Sequence, residues 1–247
     1  MKDQMIFQRY EMKYLLTKEQ RDDLQQRMRP FMRADEYGKS VICNIYFDTP
    51  THLLIRRSLE KPVYKEKLRL RSYGLAGADT PVFVELKKKY KSVVYKRRMT
   101  LPNRQAMEWL CGKGEAPGKT QIQKEIQYAL DFYKDIFPAV FLSYEREAWY
   151  SVEDENFRVT MDENILWRQD HLSLGEEIFG TPILEPGQVL MEVKTASAIP
   201  VWMSRWLSEN KVYKTSFSKY GNAYEEMENQ KRKGGEAGDW KSIQRAV

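Results

Sequence analysis

Lys67-Leu68-Arg69-Leu70-Arg71 puts a cation at every second position. Successive side chains of a strand point to opposite faces, so these three cations share one face and the leucines take the other. The alternation recurs along the chain. It appears in Val84-Glu85-Leu86-Lys87, Lys96-Arg97-Arg98, Arg158-Val159-Thr160-Met161-Asp162 and Glu192-Val193-Lys194. In an ordinary half-buried strand the polar face meets water. A series of such strands, most of them carrying Arg or Lys, points instead to one shared face. Cations packed this closely repel unless an anion lies among them. The simplest reading is a closed sheet with a basic interior that holds a polyanion.

The rest of the chain is read outward from these strands. Further strands are expected over Phe7 to Leu16, Ser40 to Phe47 and Ala139 to Ser151. Val82 to Lys89 and Val93 to Leu101 form a hairpin through Tyr90-Lys91-Ser92. Thr17 offers an N-cap with Gln20 in the capping-box position, and the helix behind it ends near Pro30. Pro102 and Pro200 each open a short helix. Gln121 to Phe137 carries Ile122, Ile126, Ala129, Leu130 and Tyr133 at helical spacing, with Pro138 as its stop. A last helix runs from Ser218 to Gln230. Arg168 to Gly187 reads as a long Gly- and Pro-punctuated loop. Strands therefore outnumber helices, and the fold class is α+β: a barrel with flanking and plugging helices. Residues 1–230 form one domain and residues 231–247 a polar tail.

Composition narrows the partner. The chain has 247 residues, 42% of them hydrophobic and 31% charged, with 13% aromatics, which argues against disorder. A net charge of +6 and a pI near 9.1 favour an acidic partner. Cys43 and Cys111 lack metal-site spacing, so a reducing compartment is expected. His52 and His171 stand alone and are expected to be neither ligands nor bases. No stretch approaches membrane-spanning length, and Met1-Lys2-Asp3-Gln4 opens no secretion signal, so a soluble, cytoplasmic protein is expected. A nucleic-acid groove would interleave exposed aromatics with its cations. Here the cations alternate with aliphatics, and no nucleic acid is expected.

Several ordered segments resemble the triphosphate tunnel metalloenzymes, and within them the polyphosphate-polymerase domain of the vacuolar transporter chaperone complex. They are Arg9-Tyr10-Glu11-Met12-Lys13-Tyr14, Tyr46-Phe47-Asp48-Thr49, Lys67 to Arg71, Val84 to Lys87, Arg158 with Asp162, Met191-Glu192-Val193-Lys194, and Ser218-Lys219-Tyr220. The resemblance implies that the barrel is an eight-stranded antiparallel β-barrel, a tunnel around a triphosphate or polyphosphate chain. It implies that Lys13, Lys67, Arg69, Arg71 and Lys87 grip phosphates, joined by Lys96 and Arg98 from the next strand. Arg146 and Arg158 would face them from the opposite wall. Glu192 would hold Mn2+ or Mg2+, with Lys194 beside it. Lys219 and Ser218 would come from a helix that closes the tunnel, and Lys214 is a lesser candidate nearby. Glu11, Glu85 and Asp162 are further candidate metal ligands, with pairing to an Arg as their alternative role.

The pattern departs from the hydrolytic branch at one place. An E-x-E-x-K start is expected there, and Arg9 stands where the first Glu would be. An acid-poor lumen suits holding a long anion better than recruiting two metals and activating water. The implied activity is a polyphosphate polymerase that moves the γ-phosphate of ATP onto a growing chain. The alternatives are a triphosphatase of the same fold and a non-catalytic polyphosphate-binding subunit. Nothing in the sequence reads as a sensor domain or membrane anchor, so regulation and translocation are expected from a separate membrane protein.

Overall fold

The structure, a computed structural model, describes residues 10–60, 62–91 and 93–234. Arg9 and residues 235–247 of the expected tail lie outside the described residues. The chain runs β1 (Tyr10–Thr17), α1 (Lys18–Met28), β2 (Met32–Ala34), β3 (Ser40–Asp48), α2 (Leu53–Leu59), β4 (Tyr64–Tyr73), β5 (Pro81–Tyr90) and β6 (Val93–Pro102). It continues through α3 (Asn103–Leu110), α4 (Gln121–Tyr133), β7 (Phe137–Ser151), β8 (Arg158–Arg168), β9 (Thr181–Pro182) and β10 (Gln188–Thr195). It ends with α5 (Val201–Glu209), β11 (Lys214–Thr215) and α6 (Lys219–Gly234).

Local chemistry accounts for the boundaries. Thr17 and Gln20 form the expected capping box at α1, and Thr120 and Gln123 form another at α4. Helix α4 stops at Tyr133, short of the expected Phe137. Lys134 and Asp135 both take positive φ, which turns the chain out of the helix and lets Phe137 start β7.

The strands form one antiparallel sheet in the order β11-β1-β10-β8-β7-β3-β4-β5-β6, with β2 attached to β7 and β9 to β8. The expected closed, eight-stranded barrel is therefore corrected to an open, eleven-stranded sheet. The strand count differs because strands β2, β9 and β11 are two or three residues long, too short to carry a period. Across the trough the two arms carry charges of both signs: Lys67 feels Lys13, Lys194 feels Lys87, and Glu11 feels Lys87.

The sheet curls into a trough, because β1 and β4 lie far apart in the strand order yet reach the same turn. Lys13 donates to the Phe217 carbonyl at 2.8 Å, and Lys67 donates to the Ser218 hydroxyl at 3.0 Å. Two apolar cores lie on the convex side. One packs Ile45, Phe47, Leu68, Leu70, Val84 and Leu86 against α3 and α4. The other packs Tyr14, Leu16, Met161, Met191 and Val193 against α1 and α5. A third core, inside the trough, seats α6 through Phe217, Tyr220, Ala223 and Met227. The leucines of Lys67 to Arg71 thus anchor a core while its cations face inward.

Candidate functional site

Strand register builds the first wall. Arg69 lies opposite Glu85, which lies opposite Arg98, while Lys67, Lys87 and Lys96 form the neighbouring row. Glu85 is the hub. Arg69 reaches it at 2.7 Å, Lys96 at 2.6 Å and Arg98 at 3.6 Å, and its side chain is 2% exposed. Burial would raise the Glu85 carboxyl, but Arg69, Arg71 and Lys96 hold it down at about 2. Arg71 donates to Asn44 at 2.9 Å and to the Tyr144 hydroxyl at 3.0 Å. Arg69 also donates to the Tyr46 hydroxyl at 3.0 Å. Burial brings the Lys67 ammonium down to about 8.

The second wall comes from β7, β8, β10 and β1, with α6 laid against it. Arg146 grips Asp162 with both prongs, at 2.6 and 2.7 Å. Lys219 reaches Asp162 at 2.5 Å and Glu192 at 3.1 Å. Lys13 lies 3.5 Å from Glu192 and 3.4 Å from Glu11. Burial opposes the charge on Glu192, yet Lys219, Lys13 and Arg146 hold that carboxyl well below its usual range. Burial lowers Lys194 to about 8.

Among the described residues, the trough gathers the Lys and Arg residues singled out in the sequence, with two qualifications. Arg158 sits at a mouth, in register with Lys194 and Tyr150, stacked on the Tyr150 ring and 3.7 Å from Asp35. Lys214 pairs opposite Tyr14 on the other face of β1, beside a cleft lined by Tyr10, Met12 and Ile199, and takes no part in the trough. Lys87 and Lys194 make no hydrogen bond or ion pair among the described residues.

Among the described residues no group of three or more His, Cys, Asp or Glu is arranged to hold a metal ion. Asp162 and Glu85 are each tied to cations, so both take the pairing role. Glu11 and Glu192 converge on Lys13, and Glu11 keeps 35% of its side chain exposed. A hard cation that arrives on a triphosphate brings oxygen ligands of its own and needs only one or two carboxylates. This pair fits such an ion and does not fit a cage made of protein alone.

Sequence reading passed over Asn44 and Tyr144 and quoted Tyr46 only within a motif, without a role; the three hold Arg71 and Arg69 in place. Their signal was present: Asn44, Tyr46 and Asp48 alternate with apolar residues inside a strand that otherwise looks like core. Asp48, fully buried, accepts from the backbone of Thr49, Leu54 and Ile55 and from the Tyr220 hydroxyl, which fixes α2 and α6 together.

The VTC domain model matches residues 8–228 of the chain. This chain belongs to the VTC domain family. The domain is also similar in fold to a crystal structure described as a proposed adenylate cyclase from Bacillus halodurans. That match has 16% identity and a TM-score of 0.53, over 86% of this chain and 94% of that one. A proposed adenylyl cyclase from Hippeastrum, described as having a dominant triphosphatase activity, matches with 18% identity and a TM-score of 0.50, over 85% and 92%. At these identities the likeness is one of fold. No curated protein matches the chain. In this VTC domain no helix among the described residues is long and apolar enough to cross a membrane.

Proposed function

We propose that this VTC domain is a metal-dependent polyphosphate polymerase, a phosphotransferase that moves the γ-phosphate of ATP onto a polyphosphate chain lying in the trough. The observation that carries the reading is the pair Lys87 and Lys194. Neither makes a hydrogen bond or ion pair among the described residues, although both feel Glu11 and each other, while Glu85, Asp162 and Glu192 are engaged by other cations. Two cations with no direct partner, on facing walls, are placed for an anion that touches both arms. Such an anion would also offset the repulsion between them.

Phosphoryl transfer passes through a loose transition state whose charge spreads over the equatorial oxygens, so position and electrostatics dominate. Arg69 and Arg71, preset by Glu85, Tyr46, Asn44 and Tyr144, offer planar forks to phosphate oxygens. Lys87, Lys96 and Lys194 supply point charges, and Arg158 guides the chain at its mouth. The terminal oxygen of an acceptor chain is already ionised, so no general base is needed. Glu192 and Glu11 would hold Mn2+ or Mg2+, which when bound neutralises charge on the triphosphate. Arg146, Lys219 and Lys13 hold Glu192 ionised and in position. A triphosphatase is the second reading, favoured by the activity named for the Hippeastrum protein of similar fold.

The test incubates the pure protein with ATP and Mn2+, with and without a short polyphosphate primer. Products are resolved on a gel, with free phosphate assayed in parallel. Polyphosphate ladders with matching ADP are expected. Free phosphate without ladders would make the protein a triphosphatase. Neither product, with tight polyphosphate binding, would make it a binding subunit. Glu192→Gln should cut metal-dependent turnover on the order of 100-fold while polyphosphate still binds.

A further inference from the structure

Tyr46 holds Arg69 for the transfer reaction, but the acid–base chemistry of its phenol is not used there. Its ring lies in β3, 7% exposed, and stacks on Tyr220 of α6 with centroids 4.8 Å apart. Its hydroxyl oxygen accepts from Arg69 at 3.0 Å. The phenolic hydrogen has no acceptor among the described residues. The groups around it are strongly biased. Strand β4 presents Lys67, Arg69 and Arg71, all of whose charges reach the phenol. Glu85 on β5 lies beyond Arg69 and is already shared with Lys96. Helix α6 offers Tyr220, whose own proton is given to Asp48. Tyr144 of β7 is taken by Arg71. A buried phenol that accepts from a guanidinium, faces two more cations and donates to no described residue gives up its proton more readily than an ordinary tyrosine.

We propose that Tyr46 is a built-in counter-anion of the trough at mildly alkaline pH: with no phosphate bound its phenol ionises beside Lys67 and pairs with Arg69, and it takes up a proton when a phosphate chain arrives. This rests on the phosphate-binding reading given above. Incoming phosphate oxygens replace the phenolate as partners of Arg69 and Lys67, and their negative charge drives the phenol back to its neutral form. The balance is one proton taken from solvent for each phenolate neutralised. Tyr46 is thus a positioning residue that keeps Arg69 aimed into an empty trough and then yields it. The titration behaviour agrees. Burial would raise the phenol, but Arg69, Lys67 and Arg71 bring it down to about 8. Where other tyrosines of the described residues are shifted, they are shifted upward, among them Tyr14, Tyr64, Tyr133 and Tyr220. Ionisation of Tyr46 is therefore separable from theirs.

The experiment follows the ultraviolet absorbance of tyrosinate while the full chain is titrated from about pH 7 to 9.5, with and without excess inorganic tripolyphosphate. Binding of tripolyphosphate is measured in parallel by calorimetry. The expected result is an early tyrosinate signal of about one residue that tripolyphosphate suppresses. Tyr46→Phe keeps the ring on Tyr220 and should lose that signal while the protein still binds tripolyphosphate near pH 7. Tripolyphosphate binding with no early signal, with a signal it leaves unchanged, or with a signal that survives in Tyr46→Phe overturns the assignment of Tyr46 alone. An early signal lost in Tyr46→Phe, in a protein with no affinity for tripolyphosphate, overturns the phosphate reading and the proton exchange with it.

Discussion

The two walls of the trough are made of the same residue types and balanced differently. On the β4–β5–β6 wall one carboxylate, Glu85, is shared among Arg69, Lys96 and Arg98, with Lys67 and Lys87 added. On the β7–β8–β10–β1 wall Asp162 and Glu192 face Arg146, Lys219 and Lys13, and Glu11 stands alongside. The first wall carries surplus positive charge and lies toward a free sheet edge. The second is nearly balanced, more deeply buried and covered by α6. The difference teaches that a cation-lined surface can do two jobs. Where the charges cancel, they fix geometry. Where they do not, they are available to an anion.

The sharpest way to break this contrast is at Asp162, which is fully buried and held by Arg146 and Lys219. Asp162→Ala leaves two buried cations short of a partner, and should cost about 3–5 kcal/mol of stability in urea unfolding. A loss below 1 kcal/mol would mean that this wall is not the structural one. Acid probes the other hub. The folded Glu85 carboxyl is held at about 2, below its unfolded value of 4.5, so its contribution is present above pH 4.5 and is lost as pH falls toward 2. That contribution is on the order of 3 kcal/mol. Glu85→Gln should flatten the fall in stability over that range, and an unchanged slope would remove Glu85 as the hub.

Lys87→Ala tests the surplus charge. Lys87 makes no hydrogen bond or ion pair among the described residues and reaches Glu11 only at longer range, so stability should stay within about 0.5 kcal/mol. Tripolyphosphate affinity should fall by about 1.5–3 kcal/mol, the worth of a hydrogen bond to a charged group. Calorimetry and thermal melting on one sample separate the two effects, and unchanged affinity would take the phosphate site off this wall. The smallest effect belongs to Lys214→Ala, which should alter neither tripolyphosphate binding nor melting, because Lys214 lies across β1 from the trough. A loss of binding there would move the site to the outer cleft.

Much of this site was legible in the chain. Lys67, Arg69 and Arg71, or Glu192 and Lys194, share a face because the strand period is two, and that period is a local property. The capping boxes at Thr17 and Thr120 are local in the same way. Asn44 and Tyr46 were harder to read, since a polar residue in an apolar strand gains its meaning only from a partner on another strand. Helix α4 ended early because two positive-φ residues follow it, and neither Lys134 nor Asp135 announces that conformation in the sequence.

The amino-acid sequence by itself determined which side chains lie together along each strand, and hence that a basic face exists. Only the tertiary structure decided how those faces meet. Strand register brought Glu85 against Arg69 and Arg98, and the return of α6 brought Lys219 to Asp162 and Glu192 across separations of 57 and 27 residues. It also decided that the sheet stays open between β6 and β11. Periodicity is short-ranged and is written in consecutive residues. Charge pairing and sheet closure depend on distances between segments remote in the chain, and those distances are set by the packing of the three cores.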